Sequence, residues 1–422
     1  MTITEIPADI GVEEYGARAK EWLAENAPKR GSAEAEFSAR GEMGSEEERR
    51  SIANAKAFLK KLTDAGFGGI TYPKEYGGAG LGRKHQAAFS AAVAAGGHVL
   101  PLGAFYIGQG MCLPTIFTHG TEEQKKRFMP GLINGQEIWS QCFSEPGAGS
   151  DVAGLQMRAE RHENEWILNG QKVWTTGAHF SDWGEVIVRT DPDLPKHQGL
   201  TMFLVDLRAP GVTVKPLRQI TGEAHFNEIF FDDVRVPDDQ RLDDVGAGWK
   251  VALTTLMNER MAIGGAGGGG PRRQAGDNAL MRLAKDNGVW DDGQTRDRIM
   301  DLFVQGRVFA MLRERMAEAA RKAVPGPEFS MLKLIGARQS AAQSELSTNI
   351  AGASTLAWEG ENSTGERIAM AVLQTRSGKI AGGTDEVMLN ILGERVLGLP
   401  QDPRVDKDVP FRTLTVGTVR SS

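Results

Sequence analysis

Residues 166–174 read WILNGQKVW, and this stretch marks the middle of the chain as β-rich, with helix-forming sequence on either side. Two short runs of β-branched and aromatic residues flank Asn169-Gly170, a dipeptide that supplies the positive φ angles of a type I′ turn. The stretch predicts a β-hairpin whose second strand ends at Trp174-Thr175-Thr176. Further β-rich runs follow at 186–189, 200–207, 212–214 and 228–231. Six or so short strands without a long helix between them favour a compact antiparallel barrel or sandwich.

Helical patterns lie on both sides of this β region. Ser45 with Glu48, and Thr121 with Gln124, form capping boxes at the heads of two predicted helices. Alanine-rich residues 83–95 are suited to another helix. Helix is predicted again after residue 244, with long candidates at 299–324, 331–350 and 384–397. The order α, then β, then α is inconsistent with a doubly wound α/β sheet.

Composition excludes several classes of function. Among the 422 residues, Lys and Arg number 49 and Asp and Glu 55, so no sequence-wide basic field exists to hold nucleic acid or an anionic membrane. Two cysteines cannot build a disulfide framework, and they indicate a reducing compartment. No apolar run reaches the ~18–20 residues of a membrane span, and the N-terminal residues lack an apolar signal core. We therefore expect a soluble, cytoplasmic protein.

Two common kinds of catalytic site are not indicated. The seven histidines are scattered, and neither His-x3-His nor Cys-x2-Cys occurs, so no metal site is predicted. The chain also lacks Gly-x-Ser-x-Gly, which leaves a hydrolytic triad unsupported.

Glycine is unusually abundant, at 52 residues, and one cluster reads GGAGGGG at 264–270. That cluster favours either a flexible linker or a close backbone approach to a ligand.

The segment 142–151, CFSEPGAGSD, is the strongest candidate for ligand binding in the sequence. Its glycines, serines and backbone amides can cradle an anionic or carbonyl-rich ligand in a tight loop. It is not a dinucleotide fingerprint, because no third glycine opens a helix. An ordinary turn into the β region is the alternative.

Two further positions combine chemistry with an unusual setting. Trp174 can stack on a planar ring beside hydroxyl groups, although a tryptophan is more often part of the core. On a helical wheel, Arg260 falls within the apolar face that includes Trp249, Leu253, Leu256 and Met257, while Glu259 falls at its edge. A partly desolvated carboxylate there can act as a general base, and an interhelical ion pair is the alternative.

Six segments resemble, in order, those of the acyl-CoA dehydrogenase family of flavoproteins. They are TYPKEYGGAG (71–80), HGTEEQKKRFMPGLINGQ (119–136), FSEPGAGSDVAGL (143–155), NGQKVWTTGAHFSDW (169–183), NEIFFDDVRVP (227–237) and AGGTDEVMLNILGERVLGLP (381–400). The resemblance spans nearly the whole chain and implies the helix, strand, helix order found above. We therefore predict an α+β multi-domain fold: an N-terminal α-helical domain (1–138), a central antiparallel β-barrel (139–240) and a C-terminal four-helix bundle (241–422).

The resemblance implies FAD as cofactor and an acyl-CoA thioester as substrate. In the family reaction a carboxylate removes the proton α to the thioester carbonyl while the β-carbon passes a hydride to flavin N5. The product is a trans-2-enoyl-CoA, and an electron-transfer flavoprotein reoxidises the flavin. A homodimer or homotetramer is implied, and a heteromer is possible.

The resemblance also assigns roles to individual residues. Ser144 would lie near the flavin pyrimidine, Ser150 close to flavin and substrate, Trp174 against the isoalloxazine, and Thr176 within hydrogen-bonding reach of N5. The implied flavin contacts are Gln141, Phe143, Ser144, Gly149, Ser150, Trp174, Thr175, Thr176, Thr384 and Glu386. The implied substrate contacts are Ser150, Asn258 and Arg260.

The catalytic base departs from the commonest pattern of the family. Many members place a glutamate two residues before the threonine of the last motif, and Gly382 occupies that position here. Members resembling isovaleryl- and long-chain acyl-CoA dehydrogenases place the base on the first helix after the barrel, and Glu259 matches that position. Glu259 is therefore the predicted base.

Two flavin motifs of the family are altered. Residues 281–291 read MRLAKDNGVWD where Arg-x-x-Phe-Gly is expected, and a later glycine-rich stretch is reduced to NIAGA at 349–353. The sequence therefore assigns no contacts to the adenine side of FAD.

Three alternative functions keep the same fold. Reoxidation of the flavin by oxygen would make the protein an acyl-CoA oxidase. The altered flavin motifs and Gly382 suit a non-catalytic, half-site subunit of a heteromeric dehydrogenase, whereas Glu259 argues against it. A DNA-associated flavoprotein is disfavoured because the C-terminal tail has Arg and Lys roughly matched by Asp.

Overall fold

The computed structural model describes residues 6–30, 32, 44–263, 279–322, 326–357, 363–404 and 406–415. The glycine cluster at 264–270 lies outside the described residues. The chain divides into two compact units, of which the first comprises Met1–Asn258 with Arg404–Ser422 and the second Glu259–Pro403. The division falls inside one continuous helix.

The described helices and strands follow the predicted order. The helices are α1 Val12–Asn26, α2 Glu46–Asp64, α3 Arg83–Ala95, α4 Leu113–His119, α5 Glu122–Asn134, α6 Gly248–Ile263, α7 Ala279–Asp286, α8 Gly293–Lys322, α9 Ser330–Ala351, α10 Thr364–Gly378 and α11 Asp385–Ile391. The strands are β1 Trp139–Cys142, β2 Arg158–His162, β3 Glu165–Thr176, β4 Trp183–Arg189, β5 Leu200–Asp206, β6 Val212–Leu217, β7 Phe226–Pro237 and β8 Arg241–Leu242.

Both predicted capping residues begin helices, because a side-chain oxygen satisfies an amide that the first turn leaves unpaired. Of the two predicted capping boxes, the reciprocal one is complete at α5, while at α2 the Glu48 carboxylate accepts the Gly44 amide at 2.7 Å. The Ser45 hydroxyl accepts a hydrogen bond from the Glu48 amide at 3.2 Å at the head of α2. At the head of α5, Thr121 and Gln124 bond reciprocally, side chain to amide, at 3.2 and 3.0 Å. The predicted helix at 83–95 coincides with α3.

The eight strands of the first unit form one mixed sheet. The order is β6-β7-β3-β2-β4-β5-β8, and β1 pairs with β4 off this path. The prediction of a purely antiparallel arrangement is wrong, because β1 and β2 both run parallel to β4. No pairing between β6 and β8 closes the sheet within the described residues, so the barrel is not confirmed.

The hairpin predicted at Asn169-Gly170 is wrong. The two residues lie inside β3, which continues through them as a single strand opposite β7 with a register shift between Leu168 and Gly170. The Asn169 amide group exchanges hydrogen bonds of 2.9 and 3.0 Å with the side chain and backbone of Asp233, so the dipeptide forms a bulge. The chain instead turns between β2 and β3, where Glu163 has a φ of 56°.

The second unit contains only helices and turns among its described residues. Helix α9 packs against α7, α8, α10 and α11, and two small apolar clusters hold the helices together, one around Ile299 and Leu346 and one around Phe329. The helix predicted at 384–397 is α11 followed by a π-helical turn, Leu392–Val396. The four-helix bundle and the three domain boundaries stay predictions.

Among the described residues, every helix is too short or too polar to cross a membrane.

Gly170→Ala tests the bulge. Gly170 has a φ of 146°, and a Cβ there would lie 2.7 Å from Met157 Cγ and 2.9 Å from Met157 Cα. We expect a loss of about 2–4 kcal/mol in the free energy of unfolding, from backbone strain and steric overlap. Gly16→Ala, inside α1, is the control. Its Cβ would lie at an ordinary distance of 3.6 Å from Ala88, so this substitution should stabilise the protein slightly. Equal midpoints in urea for the two variants would contradict the assignment.

Candidate functional site

The loop after β1 docks on the end of β3. The Val173 amide donates to the Ser144 carbonyl at 2.9 Å, and the Ser140 hydroxyl donates to the Thr176 carbonyl at 2.7 Å. These bonds bring the predicted flavin contacts Gln141, Phe143 and Ser144 next to Trp174, Thr175 and Thr176. The structure thus joins two segments that are about thirty residues apart in the sequence.

A buried ion pair fixes this junction. Lys172 is fully buried, and its ammonium donates to the Glu145 carboxylate at 2.9 Å and to the Phe143 carbonyl at 3.0 Å. Glu145 is 8% exposed and also accepts the amides of Gln156 and Met157 at 2.7 and 3.0 Å. Burial lowers the pKa of Lys172, and the Glu145 carboxylate opposes that shift. Sequence analysis missed this pair, and the polar residues Asn169 and Gln171 before Lys172 give no signal of burial.

Trp174 is presented to solvent by a strained backbone. Its φ is 60°, a left-handed conformation that costs a bulky residue of the order of 1–3 kcal/mol. The strain coincides with a register shift between β3 and β7 that follows Lys172. The indole is 56% exposed and contacts the edge of Phe226, with ring centroids 5.9 Å apart. The core alternative for Trp174 is therefore wrong.

The tip of the loop is open. Gly149 and Ser150 are exposed, and a Cβ added at Gly149 would meet no atom within 4 Å. Thr175 is buried and Thr176 half-buried beside the exposed indole. An exposed aromatic face, hydroxyl groups and an open glycine loop form a donor set that fits a large planar ring with polar edges, as in a flavin.

A buried carboxyl lies on the strand next to β1. Glu185 pairs in register with Gln141, and its Oε1 accepts the Thr255 hydroxyl at 2.6 Å. The Thr255 hydroxyl lies 3.0 Å from that of Thr115 on α4. Burial raises the pKa of Glu185 to about 8, against a smaller lowering by Thr255 and Cys112, so the carboxyl is largely protonated at neutral pH. Sequence analysis did not single out Glu185.

Helix α6 buries part of the predicted apolar face, because Trp249 and Leu256 pack against a buried core cluster. Leu253, assigned to the apolar face, is exposed, whereas Gly248, Val251, Ala252 and Thr255 are buried. Continued by one turn, the spacing of this buried stripe reaches Asn258 and Glu259. Both side chains are half-buried, as is Arg260, and the Asn258 amide donates to the Thr254 carbonyl at 2.9 Å.

Charges within the second unit surround Glu259 and Arg260. Burial lowers the pKa of Arg260, while the Glu259 carboxylate raises it and Arg395 lowers it further. Burial lowers the pKa of Lys333, while Asp385 and, to a smaller extent, the Glu259 carboxylate raise it. The Glu259 carboxyl group therefore lies within electrostatic range of Arg260 and Lys333 in its own unit.

The last family motif also lies in the second unit. Thr384 caps α11 by accepting the Val387 amide at 3.2 Å, and Glu386 is exposed in the first turn. Gly382, at the position of the usual base, has a φ of 67°, which favours glycine over any side chain.

A buried lysine secures this motif. The Lys333 ammonium donates to the Gly383 carbonyl at 2.5 Å and lies 3.8 Å from the buried Asp385 carboxylate. Sequence analysis missed both Lys333 and Asp385.

No group of His, Cys, Asp and Glu side chains suited to a metal ion occurs in the described parts of the chain.

Three family models match the chain in order. The acyl-CoA dehydrogenase N-terminal domain matches residues 30–136, the middle domain 140–234 and the C-terminal domain 246–397. The fold and the paired segments thus define a protein of the acyl-CoA dehydrogenase class.

Two individual acyl-CoA dehydrogenases are similar in sequence to this chain. The acyl-CoA dehydrogenase IpdE1 of Mycobacterium tuberculosis is 35% identical over 395 residues, which is 93% of this chain and 99% of that protein. The acyl-CoA dehydrogenase FadE34 of the same organism is 42% identical over 290 residues, covering 68% of this chain and 39% of that longer protein. The chain belongs to the acyl-CoA dehydrogenase family.

Solved structures share the fold. The Tcur3481-Tcur3483 steroid ACAD aligns with a TM-score of 0.73 at 25% identity, covering 95% of this chain and all of that chain. The ChsE4-ChsE5 complex of Mycobacterium tuberculosis aligns with a TM-score of 0.70 at 25% identity, with the same coverage.

Trp174→Asn tests whether the indole serves the fold or a ligand. Asparagine tolerates the left-handed backbone, and the exposed indole buries little surface, so we expect the free energy of unfolding of the protein without bound ligand to change by less than about 1 kcal/mol. Trp139→Ala is the comparison, because Trp139 is buried in the core and its loss should cost about 3–5 kcal/mol. A comparable loss in both variants, measured by urea unfolding, would make Trp174 a structural residue.

Glu185→Gln tests the buried carboxyl. With its pKa raised to about 8 in the folded protein, against about 4.3 when unfolded, Glu185 makes the folded state bind more protons across that interval. The contribution of Glu185 to the free energy of unfolding should therefore fall as the pH rises from 5 to 8. The variant should lack this component, so that the difference in free energy of unfolding, variant minus wild type, rises by about 1–3 kcal/mol from pH 5 to pH 8.

Glu160→Gln, on an exposed side chain of β2, should leave the pH profile unchanged. Parallel stability profiles for wild type and Glu185→Gln, from chemical unfolding at each pH, would contradict a buried neutral carboxyl.

Proposed function

We propose that this protein is an FAD-dependent acyl-CoA dehydrogenase that converts an acyl-CoA thioester to a trans-2-enoyl-CoA. Membership of the family supports the reaction class. The observation that carries the proposal is the exposed Trp174 indole, held by a left-handed backbone beside the open loop at 143–151. Strain of this kind persists where function requires it.

In this proposal the paired segments of the first unit hold the flavin. Trp174 packs on the ring system, Thr176 donates a hydrogen bond at its N5 edge, and Ser144 binds its pyrimidine edge. Ser150 lies towards flavin and substrate, and Gln141, Phe143, Gly149 and Thr175 complete the wall. Bound FAD supplies the hydride acceptor of the reaction. Thr384 and Glu386 of the second unit are proposed as further flavin contacts.

Glu259 is the proposed catalytic base. Its carboxylate would accept the proton α to the thioester carbonyl, a role that requires a charged and partly desolvated group. The position-specific resemblance, its half-buried place on α6 and the positive φ of Gly382 support this choice. Asn258 and Arg260, its neighbours on the helix, are proposed to contact the substrate.

We propose a bulky acyl group as the substrate class. Two of the similar solved structures are of a steroid ACAD and of a variant of it, and the similarity extends over nearly the whole of both chains. The proposed assembly is a homodimer or homotetramer, and an electron-transfer flavoprotein is the proposed electron acceptor. One similar structure is a complex of two named chains, so a heteromer is the second candidate.

Anaerobic titration of the flavin band tests the reaction and its base together. We expect short straight-chain, branched and polycyclic acyl-CoAs to be distinguished, with bleaching strongest for the bulky thioesters. Glu259→Gln should retain bound flavin but bleach at least about 10³-fold more slowly, because the amide cannot accept the proton. Glu345→Gln, an exposed side chain on α9 of the same unit, is the matched control and should behave as wild type.

Each other outcome has a defined meaning. Equal bleaching in wild type and Glu259→Gln would remove Glu259 as base but keep the enzyme. Rapid peroxide formation in air would favour the oxidase. A protein that takes up no FAD would contradict the proposal and favour a half-site subunit that needs a second chain.

A further inference from the structure

Residues 404 and 406–415 belong to the first unit, although the whole second unit precedes them in the sequence. They pair with the connection between β4 and β5: the Phe411 amide donates to the Leu194 carbonyl and the Arg412 amide to the Pro192 carbonyl, each at 3.0 Å. Arg412 also forms an ion pair with Asp193. We call residues 404 and 406–415 the C-terminal segment.

One set of ion pairs connects the C-terminal segment to the loop at 143–155, which we call the glycine loop. The Lys196 ammonium lies 2.5 Å from the Asp406 carboxylate and donates to both oxygens of Asp151, at 2.9 and 3.1 Å. The Lys196 side chain is 9% exposed and that of Asp406 23%, whereas Asp151 is 57% exposed, so the bridge is shielded from solvent on the side of Lys196 and Asp406. Hydrogen bonds from Arg404 and Lys196 hold the pKa of Asp406 well below its usual range. Asp151 directly follows Ser150 in the loop after β1 and is itself exposed.

A second contact reaches the same loop through a buried arginine. The Phe411 ring is buried, and the Arg189 guanidinium lies 3.4 Å from its centroid. Arg189 is itself buried and donates to the carbonyls of Ala153 and Leu155 at 2.7 and 3.2 Å. The guanidinium therefore lies between the C-terminal segment and residues 153–155.

We infer that the C-terminal segment positions the glycine loop, with Asp406 and Phe411 as positioning residues that act through Lys196 and Arg189. This inference rests on the proposed function, in which residues 141–150 contact FAD. A loop held at 151–155 loses less conformational freedom when a ligand binds, so the affinity for FAD depends on residues near the far end of the chain.

Titration of flavin-free, full-length protein with FAD tests the inference. We expect Asp406→Asn and Phe411→Ala each to raise the Kd for FAD about three- to tenfold, since each removes one of two partly shielded contacts. Asp406→Glu and Phe411→Tyr should restore most of the affinity. Asp408→Asn makes the same chemical change on an exposed residue of the segment and is the matched control.

Two readouts separate positioning from a general loss of structure. The thermal midpoint of flavin-free Asp406→Asn should stay within about 4 °C of wild type. Amide hydrogen exchange at 143–155 should become faster in Asp406→Asn and Phe411→Ala but not in Asp408→Asn.

An unchanged Kd for FAD in both variants would overturn the inference while leaving the proposed function intact, whatever the exchange rates. A wild-type protein that binds no FAD would overturn both. A Kd raised equally by Asp408→Asn would also overturn the inference, because the effect would then not depend on the bridge through Lys196.

Discussion

The buried ion pair between Lys172 and Glu145 is the interaction on which the candidate site depends. It joins β3 to the loop after β1, and it places Trp174 within two residues of the lysine that holds the loop. Burying two charges costs several kcal/mol per ion, and this cost is offset only when hydrogen bonds satisfy the remaining donors and acceptors. Glu145 meets that condition by accepting two backbone amides as well.

The glycine loop is consequently fixed at both ends and open between them. Glu145 anchors its beginning, while Lys196 and Arg189 anchor the residues after Ser150. Pro146, Gly147, Gly149 and Ser150 between these anchors are exposed. A fixed frame with an open centre suits ligand binding, because little entropy remains to be lost when the ligand arrives. The strained backbone of Trp174 serves the same arrangement by turning an indole outwards.

Much of the fold was predictable because its signals are local. Capping at Ser45 and Thr121 involves residues three positions apart, so the sequence alone locates the starts of α2 and α5. The runs that became β4, β5, β6 and β7 were found from their composition. Asn169-Gly170 failed as a turn signal because Asp233, 64 residues away, bonds the asparagine and makes a bulge more favourable. Leu253 was misplaced because neighbouring elements, and not the helical pattern, decide which face of α6 is buried.

The sequence by itself determined the family, the order of helical and β regions, and the chemical identity of the candidate groups, including glycine at 382 and glutamate at 259. These features are carried by residue types and short spacings. The tertiary structure decided which groups are brought together: Lys172 with Glu145, Glu185 with Thr255, and Lys196 with Asp151 and Asp406. The partners in these contacts are 27 to 210 positions apart. Pairing of buried charges depends on burial and distance, which only the folded chain defines.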